Sequence, residues 1–186
     1  MEAVADQIEA ILDDIFPQAI KIGMVHTPQL VEIIVKTLSK YKKVPIVFDP
    51  VMVATSGHLL IEEETINTIV QKLFPIADII TPNMDEAAIL ADMVVKNLDD
   101  MHIAGEKISK LGCKNILLKG GHQQTSTITS LLFEENGKQS SFETNKFLTN
   151  NTHGSGCTLS SAIASPTGAA ATISSLLGWK GGMESK

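Results

Sequence analysis

The sequence has two cysteines among 186 residues, no run of basic side chains and no long apolar stretch. Each shortage removes a class of protein. Cys113 and Cys157 lie far apart, with no CxxC pair and no metal-ligand spacing, so neither a disulfide scaffold nor a zinc site is read here. A cytoplasmic protein with reduced thiols is expected. The net charge of −6 gives no electrostatic reason to expect nucleic acid or an anionic membrane as partner. No stretch of about 18 continuous apolar residues offers a membrane span. The opening MEAVADQIEAILDD is acidic and amphipathic, where a signal peptide wants a basic start and an apolar block.

What is present fits a globular chain. Apolar residues make up 44% of it, enough for one domain with a substantial core or a large piece of a bigger one. Val4, Ile8, Ile11, Leu12 and Ile15 recur at helical spacing and predict an amphipathic first helix. QAIKIGM reads as a short buried strand. Thr27 is placed to cap the next helix, with Pro28 at its first position and Leu30, Ile33, Ile34 and Leu38 inward. VPIVFD is a second strand, followed by a loop through Gly57. Ile66, Ile69, Val70 and Leu73 mark a helix, and ADIIT is a third strand running into the helix start PNMDEAAIL. Asn97 caps a helix holding Met101, Ile108 and Leu111, closed by Gly112. NILLKGG is a fourth strand. The run from Thr127 to Thr144 carries a turn at Asn136-Gly137 and reads as a hairpin. SGCTLSSAIA is read as helical, and Pro166 breaks that helix.

Strands that are apolar throughout and alternate with helices predict an α/β fold. Its core is a three-layer arrangement, a mostly parallel central sheet with helices on both faces. In such sheets a ligand site lies beyond the carboxyl ends of the strands. Met24, Asp49, Asn83 and KGGH follow the first four strands and cluster at that edge.

Three constellations there carry chemistry. In HGSGC, Gly154 and Gly156 flank Ser155 at the mouth of a helix, where backbone N–H groups and the helix dipole make an anion site. Such a site suits the charge that develops on a transferred phosphoryl group. The pattern is neither a P-loop nor a dinucleotide fingerprint, and the plain alternative is a helix entry that needs flexible glycines. The helix N-terminus favours a thiolate at Cys157, which could accept a proton from an attacking hydroxyl. The alternative is a small buried residue, and Cys113 fits that description. In TPNMDE, Asn83 and Glu86 share one helix face and could hold a hydrated Mg²⁺ near phosphates; they could equally form a capping box. Asp49 and Lys119 each end an apolar strand. A buried carboxylate needs a partner there, and an ammonium there can meet phosphate, though solvent serves both. His122 and His153 flank glycines and read as ligand contacts or loop residues, His122 leaning to the loop.

AIKIGM, VPIVFDPVMVATSG, ADIITPNMDEAAIL, LLKGGH and NTHGSGCTLSSAIAS occur in the order and register of hydroxymethylpyrimidine/phosphomethylpyrimidine kinase, of the ribokinase-like superfamily. The resemblance covers about residues 4–165, taken as a partial ribokinase-like kinase domain (1–165) with an atypical tail (166–186). It implies ATP-dependent phosphorylation of 4-amino-5-hydroxymethyl-2-methylpyrimidine and then of its monophosphate, in thiamine synthesis. By position, Gly154, Ser155 and Gly156 resemble the anion hole and Cys157 the residue that activates the substrate hydroxyl. Asn83 and Glu86 match the NxxE motif that supports Mg²⁺ and phosphate. Lys119 matches a lysine near the ATP phosphates, and Asp49 an acid near the metal. Met24 and Val51 align with residues lining the pyrimidine pocket.

Members of the family are commonly dimers, so the resemblance allows a homodimer and leaves the oligomeric state open. The glycine-rich first segment of the family has no counterpart here, and TITSLL stands where the family carries an aspartate. From this the sequence predicts a sheet incomplete at one edge, with exposed apolar surface and reduced stability or reliance on a partner copy. Two other readings stay open. One is a pyridoxine or pyridoxal kinase, because both rings offer a hydroxymethyl group. The other is a non-catalytic protein that binds nucleotide.

Overall fold

Short apolar runs bounded by turn residues form the inner strands. The structure, a computed structural model, describes residues 2–54, 58–121, 126–146 and 154–165. Strands β1 (Ile20–Ile22), β2 (Ile46–Phe48), β3 (Ile79–Ile80) and β4 (Ile116–Leu118) pair in parallel. β5 (Thr127–Phe133) and β6 (Gln139–Asn145) add an antiparallel hairpin, giving the order β1-β2-β3-β4-β5-β6. The hairpin turns where expected, with Gly137 at φ +83°, a left-handed conformation that glycine adopts without strain. β1 forms one edge and pairs, among the described residues, with β2 alone.

Successive side chains on a strand point to opposite faces, so two apolar layers result. On one face Ile46, Phe48, Ile80, Ile116, Leu118, Leu131 and Phe133 join the core. They pack against α2 (Pro28–Leu38), α3 (Glu63–Thr68), α4 (Met84–Ala91) and α5 (Leu98–Ile108). On the other face Val47, Ile79, Leu117 and Leu132 pack against Ile163 of α6 (Ser155–Ala164). The expected three layers with a mostly parallel sheet are therefore present.

Local chemistry explains most element boundaries. Thr27 Oγ1 accepts from the Leu30 amide at 3.3 Å, and Pro28 occupies a position where no amide is needed. Asn97 caps α5 through its side chain, accepting from the Asp100 amide at 2.9 Å. A 3₁₀ turn and Gly112, at φ +94°, end that helical run. α6 stops at Ser165, whose backbone is extended, as expected for the residue before Pro166.

Two expectations need correction. α1 (Glu2–Asp14) forms, but of the five periodic apolar residues, four within it and Ile15 just beyond, only Leu12 is buried. Ile11 and Ile15 remain 62% and 72% exposed, so the periodic face meets α2 only in part. The helix expected through Leu73 is regular only to Thr68; it widens into a π turn over Ile69–Leu73 and tightens to 3₁₀ over Phe74–Ile76. Pro75 has no amide to donate back along the helix, and the register changes as the chain approaches it.

Candidate active site

The carboxyl ends of the parallel strands are stitched into a staircase. The Asp49 amide donates to Ile22 O at 2.9 Å, the Thr81 amide to Phe48 O at 3.0 Å, and the Lys119 amide to Pro82 O at 2.8 Å. An isolated parallel bridge sets Asn83 beside Lys119. The register of the sheet thus delivers Asp49, Thr81, Asn83 and Lys119 to one edge.

Asp49 is the hub. Its side chain is 2% exposed, and a buried carboxylate must be compensated. Lys119 Nζ donates to Oδ1 at 2.9 Å, as does Thr81 Oγ1 at 2.9 Å. Ser160 Oγ lies 3.3 Å from Oδ2. The Lys119 side chain is 15% exposed, so this partner of the pair is the less deeply buried one.

α6 presents its N-terminus to this pair. Gly154 caps it at φ +78°, and the helical hydrogen bonds begin with the Thr158 amide donating to Gly154 O at 2.9 Å. The amides of Ser155, Gly156 and Cys157 therefore have no acceptor inside the helix. A Cβ on Gly156 would lie 3.2 Å from Lys119 Nζ and 3.8 Å from Asp49 Oδ2. The amide-bearing turn and the ammonium thus meet at one place, and Gly156 allows the approach because it has no side chain. Cys157 is exposed beside them. Cys113 is the opposite kind of cysteine. It is buried, its Sγ contacts Ile108 O at 3.6 Å, and burial pushes its thiol up to about 12.

Asn83 and Glu86 form the capping box. Asn83 Oδ1 accepts from the Glu86 amide at 2.9 Å, and Glu86 Oε2 accepts from the Asn83 amide at 2.7 Å. Burial raises the Glu86 carboxyl to about 7; the Asn83 amide, Lys119 and the Met52 amide pull it down, and Asp49 pushes it up. These contacts test the expectation of Mg²⁺. The Asn83 oxygen and the Glu86 carboxylate are committed to backbone amides, so they do not offer an open set of direct ligands. Among the described residues no group of three His, Cys, Asp or Glu side chains is arranged around a cation site. The pair fits Mg²⁺ only through intervening water, the manner in which this ion binds beside phosphates.

Met24 and Val51 follow β1 and β2 at the same edge. Met24 is 49% exposed and Val51 half-buried. His122, His153, Gly57 and the tail 166–186 lie outside the described residues. Two hydroxyls escaped the sequence reading. Thr81 ends the third apolar strand, and Ser160 stands four residues after Gly156, on the same helix face; that spacing was the available signal. A mainly apolar cavity of about 250 Å³, lined by Leu12, Ile20, Leu38 and Ile46 among others, opens at the amino ends of β1 and β2, away from these groups. Among the described residues no helix is long and apolar enough to cross a membrane.

Comparison with known proteins bears on the family and the fold. The family model for phosphomethylpyrimidine kinase matches residues 1–175. A hydroxymethylpyrimidine/phosphomethylpyrimidine kinase of Bacillus subtilis is 35% identical over 169 residues, covering 90% of this chain and 62% of the relative. The crystal structure of phosphomethylpyrimidine kinase from Clostridium difficile superposes with a TM-score of 0.73 at 39% identity, covering 88% of this chain and 65% of that one. An ADP complex of Bacillus subtilis pyridoxal kinase gives 0.78 at 32% identity, covering 88% and 62%. The chain thus spans about three fifths of the length of the Bacillus relative.

Proposed function

Because the chain belongs to the phosphomethylpyrimidine kinase family, we propose that it transfers the γ-phosphoryl group of ATP to 4-amino-5-hydroxymethyl-2-methylpyrimidine and then to its monophosphate. The setting is thiamine synthesis in the cytoplasm, in a homodimer. The observation that carries the reading is the approach of Lys119 to Gly156, under three helix-terminal amides and beside an exposed thiol.

In this reading the hydroxymethyl oxygen attacks the γ-phosphorus in line and gives its proton to Cys157 in its thiolate form, which becomes the thiol. The bond from that phosphorus to the bridging oxygen breaks, and ADP leaves. The amides of Ser155, Gly156 and Cys157 hold the charge that gathers on the phosphoryl oxygens. Lys119 turns toward the same oxygens. Phosphoryl transfer asks little covalent chemistry of a protein, so this positioning supplies most of the rate. Mg²⁺ bound with the nucleotide would neutralise phosphate charge, with Asn83 and Glu86 reaching it through water. Met24 and Val51 would line the pyrimidine.

The likeness to pyridoxal kinase supports a second substrate, pyridoxal, since its ring also carries a hydroxymethyl group. ADP release measured with each alcohol separates the two. Turnover with the pyrimidine is the expected result, and turnover with pyridoxal alone would overturn the first choice. ATP binding by calorimetry without ADP release from either alcohol would leave a nucleotide-binding protein and no kinase.

A further inference from the structure

We infer that Ser160 is a positioning residue, which ties the helix carrying the phosphoryl site to the carboxylate that holds Lys119. The inference rests on the kinase reading above for its effect on rate, and on geometry alone for the bond itself.

Ser160 is fully buried, one turn after Gly156. Its hydroxyl has three acceptors within reach: Asp49 Oδ2 at 3.3 Å, Gly156 O at 3.1 Å and Cys157 O at 3.1 Å. It has one proton to give. Distance favours the helix carbonyls, and such back-bonding within a helix is common. Three arguments favour Asp49. The carboxylate is charged, and a charged acceptor draws a hydroxyl proton more strongly than a neutral carbonyl does, which offsets the longer 3.3 Å contact. The carbonyls of Gly156 and Cys157 already receive amides from the next helical turn. Among the described residues, Ser160 is the hydrogen-bond donor to Asp49 Oδ2, while Oδ1 has both Lys119 and Thr81. A proton given to a carbonyl would leave Oδ2, buried, with no donor among the described residues, the costlier arrangement.

The consequence reaches the chemistry. Lys119 must turn from Asp49 toward phosphoryl oxygens during transfer. Asp49 then stays buried with only its hydroxyl partners, Thr81 and Ser160. Ser160 lowers the cost of that move and keeps α6 in register with the strand ends while it happens. Without it, Lys119 stays on Asp49 and the chemical step slows.

The test uses Ser160→Ala, Asp49→Asn, their combination, and Ser160→Thr, which keeps the hydroxyl. In urea, Ser160→Ala is expected to lower the unfolding midpoint in the wild-type background and to leave it unchanged or raised in the Asp49→Asn background. A hydroxyl that merely back-bonds would give the same small rise in both, since alanine is the better helix former, and that result would overturn the inference. In ADP-release kinetics, Ser160→Ala is expected to lower kcat by about tenfold or more with KM for ATP changed by less than about threefold. Ser160→Thr is expected to restore most of the rate. An unchanged kcat, or an equal loss with threonine in a variant whose urea midpoint is native, would also overturn it. Wild-type protein that turns over neither alcohol counts against the kinase reading, and the urea measurements still decide whether Ser160 serves Asp49.

Discussion

Lys119 Nζ lies 2.9 Å from Asp49 Oδ1, yet the two side chains are unequally buried, 15% against 2% exposed. That asymmetry decides which partner tolerates loss of the other. Removing one member of a buried pair strands the other charge, at about 3–5 kcal/mol when burial is complete. Lys119→Met strands the deeper charge, Asp49, with hydroxyls as its side-chain partners among the described residues. Asp49→Asn strands the less deeply buried charge, on a flexible side chain that is 15% exposed. Lys119→Met is therefore expected to destabilise by ~3 kcal/mol and Asp49→Asn by clearly less. Equilibrium urea unfolding of the two variants checks the order, and the reverse order would show that the pair is not held as described.

Glu86 supplies a pH dependence. Burial raises its carboxyl from 4.5 to about 7 in the folded state. The folded chain then binds the proton more tightly than the unfolded chain. The stability this contributes is full below about pH 4.5 and is lost as pH rises through about 7, a change of ~3 kcal/mol. Glu86→Gln keeps an acceptor for the Asn83 amide, as capping boxes allow, and removes the titration. In magnesium-free buffer the variant is expected to gain on the wild type as pH rises from about 4.5 to about 7.5. A constant difference in urea midpoint across that range would contradict it.

Much of this site could be read from residues that act locally. Thr27-Pro28, Asn97 and Asn136-Gly137 fix element ends through neighbours a few positions away, so their roles were visible in the chain. The strand ends carrying Asp49, Asn83 and Lys119 were legible because apolar runs stop there abruptly. The pairing among these residues was not. Ser160 and Asp49 are 111 positions apart, and only the register of α6 on the sheet brings them together. The dual reading of Asn83 and Glu86 was likewise open in sequence; the folded chain uses both in the cap. In α1 the periodicity of Ile11 and Ile15 marked an apolar face but carried no information on how much surface would cover it.

Gly105 is a packing requirement of the layer behind the site. A Cβ there would lie 2.1 Å from Cζ of Phe133, whose ring is buried and meets His102 edge-on at 6.3 Å. Alanine gains ~1 kcal/mol in helix preference, while overpacking costs about 1–3 kcal/mol. Gly105→Ala is expected to be destabilising on balance. Combining it with Phe133→Leu should cost less than the sum of the two single changes. Simple additivity in denaturant unfolding would mean the ring moves aside freely.

In the proposed reaction, Cys157 is expected to separate the two phosphorylations. The first acceptor is an alcohol, whose proton must go somewhere. The second is a phosphate monoester, whose second ionisation falls near about pH 6, so its oxygen is already charged at neutral pH. A proton acceptor matters to the first transfer and little to the second. Cys157→Ala is expected to lower kcat for the alcohol by about 100-fold or more and to leave ATP affinity nearly unchanged. Its effect on the monophosphate should be much smaller. Equal losses on both acceptors would assign the thiol a structural part.

Gly156 allows stability and activity to be set against each other. It occupies the first turn of α6, where alanine is the better helix former by ~1 kcal/mol and no left-handed φ stands in the way. The added methyl would press on Lys119 Nζ from 3.2 Å, a contact tight enough that the ammonium must give way. Lys119 is anchored to Asp49, so it can yield only by shifting that pair or by retreating from the turn. Gly156→Ala is expected to stay folded with a melting temperature near the wild type's, the helix preference offsetting the shifted pair, and to lose phosphoryl transfer by an order of magnitude or more. Thermal unfolding and ADP release on the same preparation test it. Full activity in a protein of unchanged stability would show that the ammonium does not work from beneath the turn.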